Sequence, residues 1–216
     1  MQFQLNGELD WAITDYNLAL KFDPSYATAC YNRGVAQYDK RNWDAAIADY
    51  TRAIELKPQY ADAYYNRGLA RKDKGEIDPA LADYDRALQL KPDHLPAYNN
   101  RGNARKTKGD LDGALADYEQ ALKLDAKLAS AWNNRGNVWR AKGEWEKALS
   151  DYTQALQLDS RYAIAYLNRG VIYLSQQREP EATKDFTQAV KFDQKLEPLG
   201  RNIGAPYENN GVLKSR

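Results

Sequence analysis

One cysteine, one histidine and one methionine occur in 216 residues. A single cysteine excludes an internal disulfide framework, and one cysteine with one histidine cannot build a zinc site of the Cys/His type. No metal or other cofactor is therefore expected. No apolar run approaches the roughly 20 residues that span a bilayer. The N-terminal stretch MQFQLNGELDW lacks the basic and apolar segments of a secretory signal. The expected location is cytoplasmic by default, with no membrane insertion. Neither sign of charge dominates: 31 Lys+Arg against 30 Asp+Glu leave a formal charge of +1. That balance argues against general nucleic-acid binding and against a polybasic membrane anchor. Glycine-rich phosphate loops, nucleophile elbows and His-Glu metal motifs are also missing, so an enzyme is not expected. Phenylalanine is scarce at 4, whereas tyrosine reaches 16, and the hydrophobic fraction of 43% is enough to bury a core.

What the chain has is a repeat. Asn-Arg-Gly recurs at Asn32-Arg33-Gly34, Asn66-Arg67-Gly68, Asn100-Arg101-Gly102, Asn134-Arg135-Gly136 and Asn168-Arg169-Gly170, each 34 residues after the last. Asp-Tyr keeps the same step from Asp15-Tyr16 to Asp151-Tyr152 and ends as Asp185-Phe186. Two alanine columns run through Ala46, Ala80 and Ala114, and through Ala53, Ala87 and Ala121. A fixed period without insertions is the signature of a stacked-repeat architecture.

Each unit reads as two helices. In 61–94, Tyr64, Gly68 and Arg71 share one helical face, and Lys74-Gly75 ends the run with a basic last turn and a glycine cap. Asp78-Pro79 suits a capping residue followed by the first helical position, Ala80, Tyr84, Ala87 and Leu88 form a second apolar stripe, and Lys91-Pro92 stops it. Small residues let helix backbones approach, and Tyr, Trp and Leu fill the remaining space.

Period and pattern together resemble the tetratricopeptide repeat family. The family's aromatic fourth position is present as Tyr64, Tyr98, Trp132 and Tyr166, with Cys30 as the exception. The resemblance implies an all-α fold, a right-handed superhelix of antiparallel helix pairs, with first helices on the concave face and second helices on the convex face. It divides the chain into a partial repeat over 1–26, five full repeats over 27–196, and a degenerate capping helix with a flexible tail over 197–216. Met1 falls at the ninth position of a repeat, which implies either a stub or a fragment of something longer.

One column departs from the family. The seventh position, usually a large apolar residue, is Arg33, Arg67, Arg101, Arg135 and Arg169. An arginine among packed helices needs a partner. The Asp column from Asp15 to Asp185 offers one, although solvated charges or ligand contacts are alternatives, and either Asp49 or Asp83 could serve Arg67. His94, beside Pro92 and Pro96, reads as a loop histidine. Cys30, at a packing position, reads as a small buried hydrophobe.

The resemblance also implies a binding surface on the first helices. Its sixth position is Asn32, Asn66, Asn100, Asn134 and Asn168. Tyr31, Tyr65, Asn99 and Asn133 at the fifth, Asn103 and Asn137 at the ninth, and Lys72, Lys106 and Arg140 at the twelfth complete it. An Asn amide both donates and accepts, so a ladder of them suits a peptide backbone. The same amides could instead join neighbouring helices. The two-carboxylate clamp of chaperone-binding relatives is missing, because the fifth column holds no lysine. The expected function is a non-enzymatic protein–protein interaction scaffold that binds an extended peptide or partner segment. The alternative is self-assembly into a homo-oligomer through repeat ends or the tail.

Overall fold

The structure, a computed structural model, describes residues 2–196. Among them the chain forms α1 (Gln2–Phe22), α2 (Ala27–Asp39), α3 (Trp43–Leu56), α4 (Ala61–Lys74), α5 (Ile77–Leu90), α6 (Leu95–Thr107), α7 (Leu111–Leu124), α8 (Ala129–Ala141), α9 (Trp145–Leu158), α10 (Ala163–Ser175) and α11 (Glu179–Phe192). A short 3-10 turn, Gln194–Leu196, follows. The chain divides into two units between Asp110 and Leu111. In the first, each helix from α1 to α6 packs on the next; in the second, the same holds from α7 to α11. The all-helical architecture of stacked pairs agrees with the sequence. The capping helix expected after residue 196 lies outside the described residues.

Small residues set the spacing. Ala46, Ala53, Ala63, Ala80, Ala87 and Ala97 in the first unit, and Ala114, Ala121, Ala131, Ala148, Ala155 and Ala165 in the second, are fully buried. Tyr50, Tyr84, Tyr118, Tyr152 and Phe186 are the large side chains of the core. The glycine of Asn-Arg-Gly exists because of these rings. A Cβ on Gly68 would lie 2.7 Å from Tyr84 Cε1, and one on Gly136 would lie 2.7 Å from Tyr152 Cε1. The two sequence signatures are thus halves of one contact.

Helix ends follow the turn chemistry with one shift. Gly75 caps α4 at φ 92°, and Gly109 and Gly143 take φ 83° and 78° one and two periods later. Arg41 and Gln177 occupy the same column at φ 62° and 60° without being glycine, a conformation that costs an L-residue roughly 1–2 kcal/mol. The start of α5 corrects the sequence reading: Glu76 is its N-cap, and Asp78 and Pro79 lie inside the first turn. Proline is tolerated there because first-turn N–H groups have no intrahelical acceptor. His94 is also corrected. It is no loop residue but the buried N-cap of α6, its Nδ1 accepting from the Ala97 N–H at 3.2 Å and its ring 4.6 Å from Tyr65. Its column, Tyr26, Tyr60, Leu128, Tyr162 and Leu196, is apolar elsewhere, so this position seals the helix entry. Cys30 is buried as expected, and burial pushes its thiol up.

The N-terminus differs most. Gly7 shares the column of Arg41 and Gly75, yet α1 runs through it unbroken. A reversal at this point would expose backbone groups that the continuous helix bonds internally.

Gln177→Gly is expected to stabilise the chain by about 1 kcal/mol, because only glycine takes this φ freely. Gly68→Ala is expected to destabilise it by about 1–3 kcal/mol through the clash with Tyr84. Urea unfolding of both variants measures the two effects.

Candidate functional site

The charged columns must be placed before the surface can be read. Arg67 on α4 forms a two-pronged pair with Asp83 on α5, Nε to Oδ2 at 3.0 Å and Nη2 to Oδ1 at 2.7 Å. Arg135 does the same with Asp151, at 2.8 Å for both bonds, and Arg169 with Asp185 at 2.7 and 2.8 Å. Arg33 pairs with Asp49 in the same way. The arginine therefore takes the aspartate of its own helix pair, Asp83 for Arg67 and not Asp49. These carboxylates are buried, Asp83 at 3% exposure and Asp185 at 2%. Hydrogen bonds donated to the carboxylate hold the Arg33, Arg135 and Arg169 guanidinium groups above the ordinary arginine range.

The third prong went unseen in the sequence. Nη1 of Arg33 donates to Asn17 at 2.7 Å, of Arg67 to Thr51 at 3.0 Å, of Arg101 to Asp85 at 2.6 Å and of Arg169 to Thr153 at 3.2 Å. Each acceptor follows an Asp-Tyr on the preceding second helix. The signal was present: Asn17, Thr51, Asp85, Glu119, Thr153 and Thr187 all carry a side-chain acceptor. The guanidinium planes also lie over the fourth-position rings, Arg67 at 5.5 Å from Tyr64 and Arg135 at 4.6 Å from Trp132. One side chain thereby ties its own helix pair to the one before it.

With the arginines committed to structure, the asparagines and tyrosines define the face of the first helices. In the first unit this face is carried by α2, α4 and α6. Asn66 Nδ2 donates to the Tyr31 hydroxyl at 2.7 Å, and Asn100 Nδ2 to the Tyr65 hydroxyl at 3.0 Å and to the Pro96 carbonyl at 3.0 Å. Each phenol thus accepts an amide proton and keeps its own proton to give. Burial raises both tyrosines above the ordinary phenol value, while the asparagine bond acts in the opposite direction. Asn32 makes no hydrogen bond among the described residues and is half-buried. Asn99, Asn103 and Lys106 are engaged within the protein.

In the second unit the corresponding face is carried by α8 and α10. Asn168 Nδ2 donates to Asn133 Oδ1 at 2.9 Å. Asn133 is only 2% exposed, which corrects its place in the expected surface: it lies beneath the face as the acceptor between α8 and α10. Asn137 accepts from the Tyr152 hydroxyl at 2.8 Å, so its carbonyl is spent on the core; burial pushes Tyr152 up to about 12. Asn134 is engaged within the protein, and Arg140 is half-buried on α8.

In the basic twelfth column Lys72 is offset by its neighbour. Lys72 Nζ lies 3.1 Å from Asp73, and Asp73 also accepts from the Tyr38 hydroxyl. Tyr38, Asp39, Arg41, Trp43 and Asp73 line a polar recess of about 450 Å³. Among the described residues no group of His, Cys, Asp and Glu could hold a metal ion, and no helix is long and apolar enough to cross a membrane.

This arrangement of helix pairs matches known proteins. The TPR repeat matches residues 3–40, 38–75, 102–139 and 136–177, and the tetratricopeptide repeat matches 61–94 and 163–196. The chain belongs to the tetratricopeptide repeat family, a family of protein–protein interaction scaffolds. Among solved structures, MamA is similar with a TM-score of 0.68 and 23% identity over 75% of this chain and 95% of its own. YrrB, described as a TPR protein with an unusual peptide-binding site, is similar with a TM-score of 0.68 and 21% identity over 87% of this chain and 97% of its own. A thermophilic TPR protein of Thermus thermophilus has a TM-score of 0.64 and 25% identity over 82% of this chain and 96% of its own. No curated protein sequence matches the chain.

Two outcomes test the site's internal chemistry. Arg169→Leu is expected to cost about 3 kcal/mol by stranding the buried Asp185 carboxylate, and Asp185→Leu in the same chain to recover part of that loss, whereas Asp151→Leu recovers none. Tyr84 Oη is buried without a hydrogen-bond partner, because its column neighbour is Leu69 where Tyr152 meets Asn137. Tyr84→Phe is therefore expected to be neutral or stabilising, and Tyr152→Phe destabilising by about 1 kcal/mol, both read from denaturant midpoints.

Proposed function

We propose that the protein is a non-enzymatic scaffold that binds an extended segment of a partner protein along the first-helix faces of its repeats. Five full repeats over 27–196 are read as its working part. The observation that carries this reading is the way hydrogen-bonding capacity is divided on α2, α4 and α6. Asn66 and Asn100 donate inward to Tyr31 and Tyr65. Each pair then has an amide oxygen to accept with and a phenol proton to donate. Those are the complements of a peptide N–H and C=O, offered by the Tyr31–Asn66 and Tyr65–Asn100 pairs. Such contacts grip a backbone and read side chains little, so recognition should be broad and affinity modest. The peptide-binding site named for the similarly folded YrrB is consistent with this use of the fold.

Asn32 separates binding from stability because it has no hydrogen bond within the described chain. A random-peptide library panned on the wild type supplies ligands, and calorimetry measures their affinity. Asn32→Ala is expected to weaken them by about fivefold, the worth of one hydrogen bond of about 1 kcal/mol, with the unfolding midpoint unchanged. Asn66→Ala is expected to lower both affinity and stability. Ligands that bind Asn32→Ala and Asn66→Ala as tightly as the wild type would place the site elsewhere.

A further inference from the structure

One recess in the first unit is lined by residues that the later repeats do not keep. Tyr38 and Asp39 at the end of α2, Arg41 in the turn, Trp43 at the start of α3 and Asp73 near the end of α4 surround about 450 Å³. Asp73 accepts from the Tyr38 hydroxyl, which fixes one wall. Asp39 is exposed and makes no hydrogen bond or ion pair among the described residues. The column of Trp43 continues as Ile77 and Leu111, which pack on the clusters around Tyr84 and Tyr118. An aliphatic side chain thus suffices to seal the start of a second helix, and the half-buried indole of Trp43 gives the recess a second aromatic wall.

Two carboxylates and two aromatic rings around an open space attract a cation, by charge and through the ring faces. Asp73 is shared with Lys72 at 3.1 Å, whereas Asp39 is uncompensated. Tyr84 adds an unspent group. It is fully buried, and its hydroxyl has no hydrogen-bond partner. Burial pushes this phenol up, and Tyr65, Asp73 and Tyr38 add to the effect, so two of its electrostatic neighbours line the recess. A phenol oxygen without a partner can accept from an N–H donor that reaches it. Arg41 is the like charge on the rim, exposed and held at φ 62° where Gly75 and Gly109 stand one and two periods later. The thirteenth column is acidic at Asp39 and Asp73 and continues as Thr107, Ala141 and Ser175. Paired carboxylates are therefore confined to this one place in the repeat array.

We propose that this recess is a socket for a lysine or arginine side chain of the bound partner segment, an inference that rests on the first-helix faces being the binding surface. The Tyr31–Asn66 and Tyr65–Asn100 pairs offer the same groups twice. Backbone contacts alone therefore leave a segment free to slip by one repeat. A basic side chain seated against Tyr38 and Trp43, with its charge toward Asp39 and Asp73, fixes the register. Charge complementarity gives this one position a side-chain preference that the amide contacts lack.

The first probe is blocked arginine, N-acetylarginine methylamide, with its neutral isostere N-acetylcitrulline methylamide as control. Each is titrated into the full chain labelled with fluorotryptophan and followed by fluorine NMR, the Trp43 signal being assigned from Trp43→Phe. Blocked arginine is expected to shift that signal saturably, and blocked citrulline to leave it in place. Asp39→Asn is expected to weaken the binding about fivefold, the worth of one accessible charge pair, and Arg41→Gly to tighten it about twofold. Asp39 is exposed and unpaired, so its variant should keep the helical circular dichroism of the wild type. No saturable shift, an equal shift with citrulline, or indifference to Asp39→Asn overturns the proposal. Weaker binding in Arg41→Gly would make the guanidinium the binding group and overturn it as well. Peptides panned on the wild type separate the socket from the groove. They are expected to share a basic residue at one position and to lose about fivefold in Asp39→Asn. Peptides weakened by Asn32→Ala but not by Asp39→Asn sink the socket and keep the groove, whereas peptides weakened by Asp39→Asn alone keep the socket and sink the backbone reading.

Discussion

A two-pronged bond between an arginine on each first helix and an aspartate on the second holds this protein's repeat together. It is seen in Arg33–Asp49, Arg67–Asp83, Arg135–Asp151 and Arg169–Asp185. Burying these charges is tolerable because the geometry is bidentate, and in Arg33, Arg67 and Arg169 Nη1 also finds an acceptor on the preceding second helix. The ring beside each aspartate enforces the rest. Tyr84 leaves no room for a Cβ at Gly68, so the residue after each arginine must be glycine. Charge pair and ring contact sit on adjacent residues of both partners, which fixes rotation and translation of one helix on the other at once.

The same economy governs the surface. Asn66, Asn100 and Asn168 each spend the amide donor on the previous helix pair, on Tyr31, Tyr65 and Asn133. This joins neighbouring repeats and orients the side chain in one step. What remains unspent in the Tyr31–Asn66 and Tyr65–Asn100 pairs is the amide acceptor, together with the phenol proton. Asn133 at the fifth position is instead a buried linker that accepts from Asn168. The hydrogen-bonding groups left on this face therefore vary along the chain even though the Asn-Arg-Gly signature does not.

Much of this was legible in the residues themselves. A strict period of 34, the alanine columns and the Lys-Gly ends specified paired helices and most of their termini. The Arg–Asp pairing could be inferred from the cost of a lone buried charge. Choosing between Asp49 and Asp83 could not, because both lie 16 to 18 residues from Arg67 and spacing alone does not rank them. The acceptor column after Asp-Tyr was visible but carried no meaning, since Asn, Thr, Asp and Glu share no property except accepting a hydrogen bond. His94 was misplaced for a related reason. Its proline neighbours suggested a loop, while its place in an otherwise apolar column pointed inward.

The sequence by itself determined that the chain is a helical repeat, where its helices lie, and which residues recur as a set. These depend on local periodicity, helix-ending residues and identity across columns, all of which are one-dimensional properties. Only the tertiary structure decided which aspartate each arginine takes, how Asn66, Asn100 and Asn168 spend their donors, and that α1 runs unbroken through Gly7. Those outcomes depend on which side chains meet across a helix interface. A bidentate bond or a ring on a glycine is satisfied within fractions of an ångström, and a linear pattern contains no such distance.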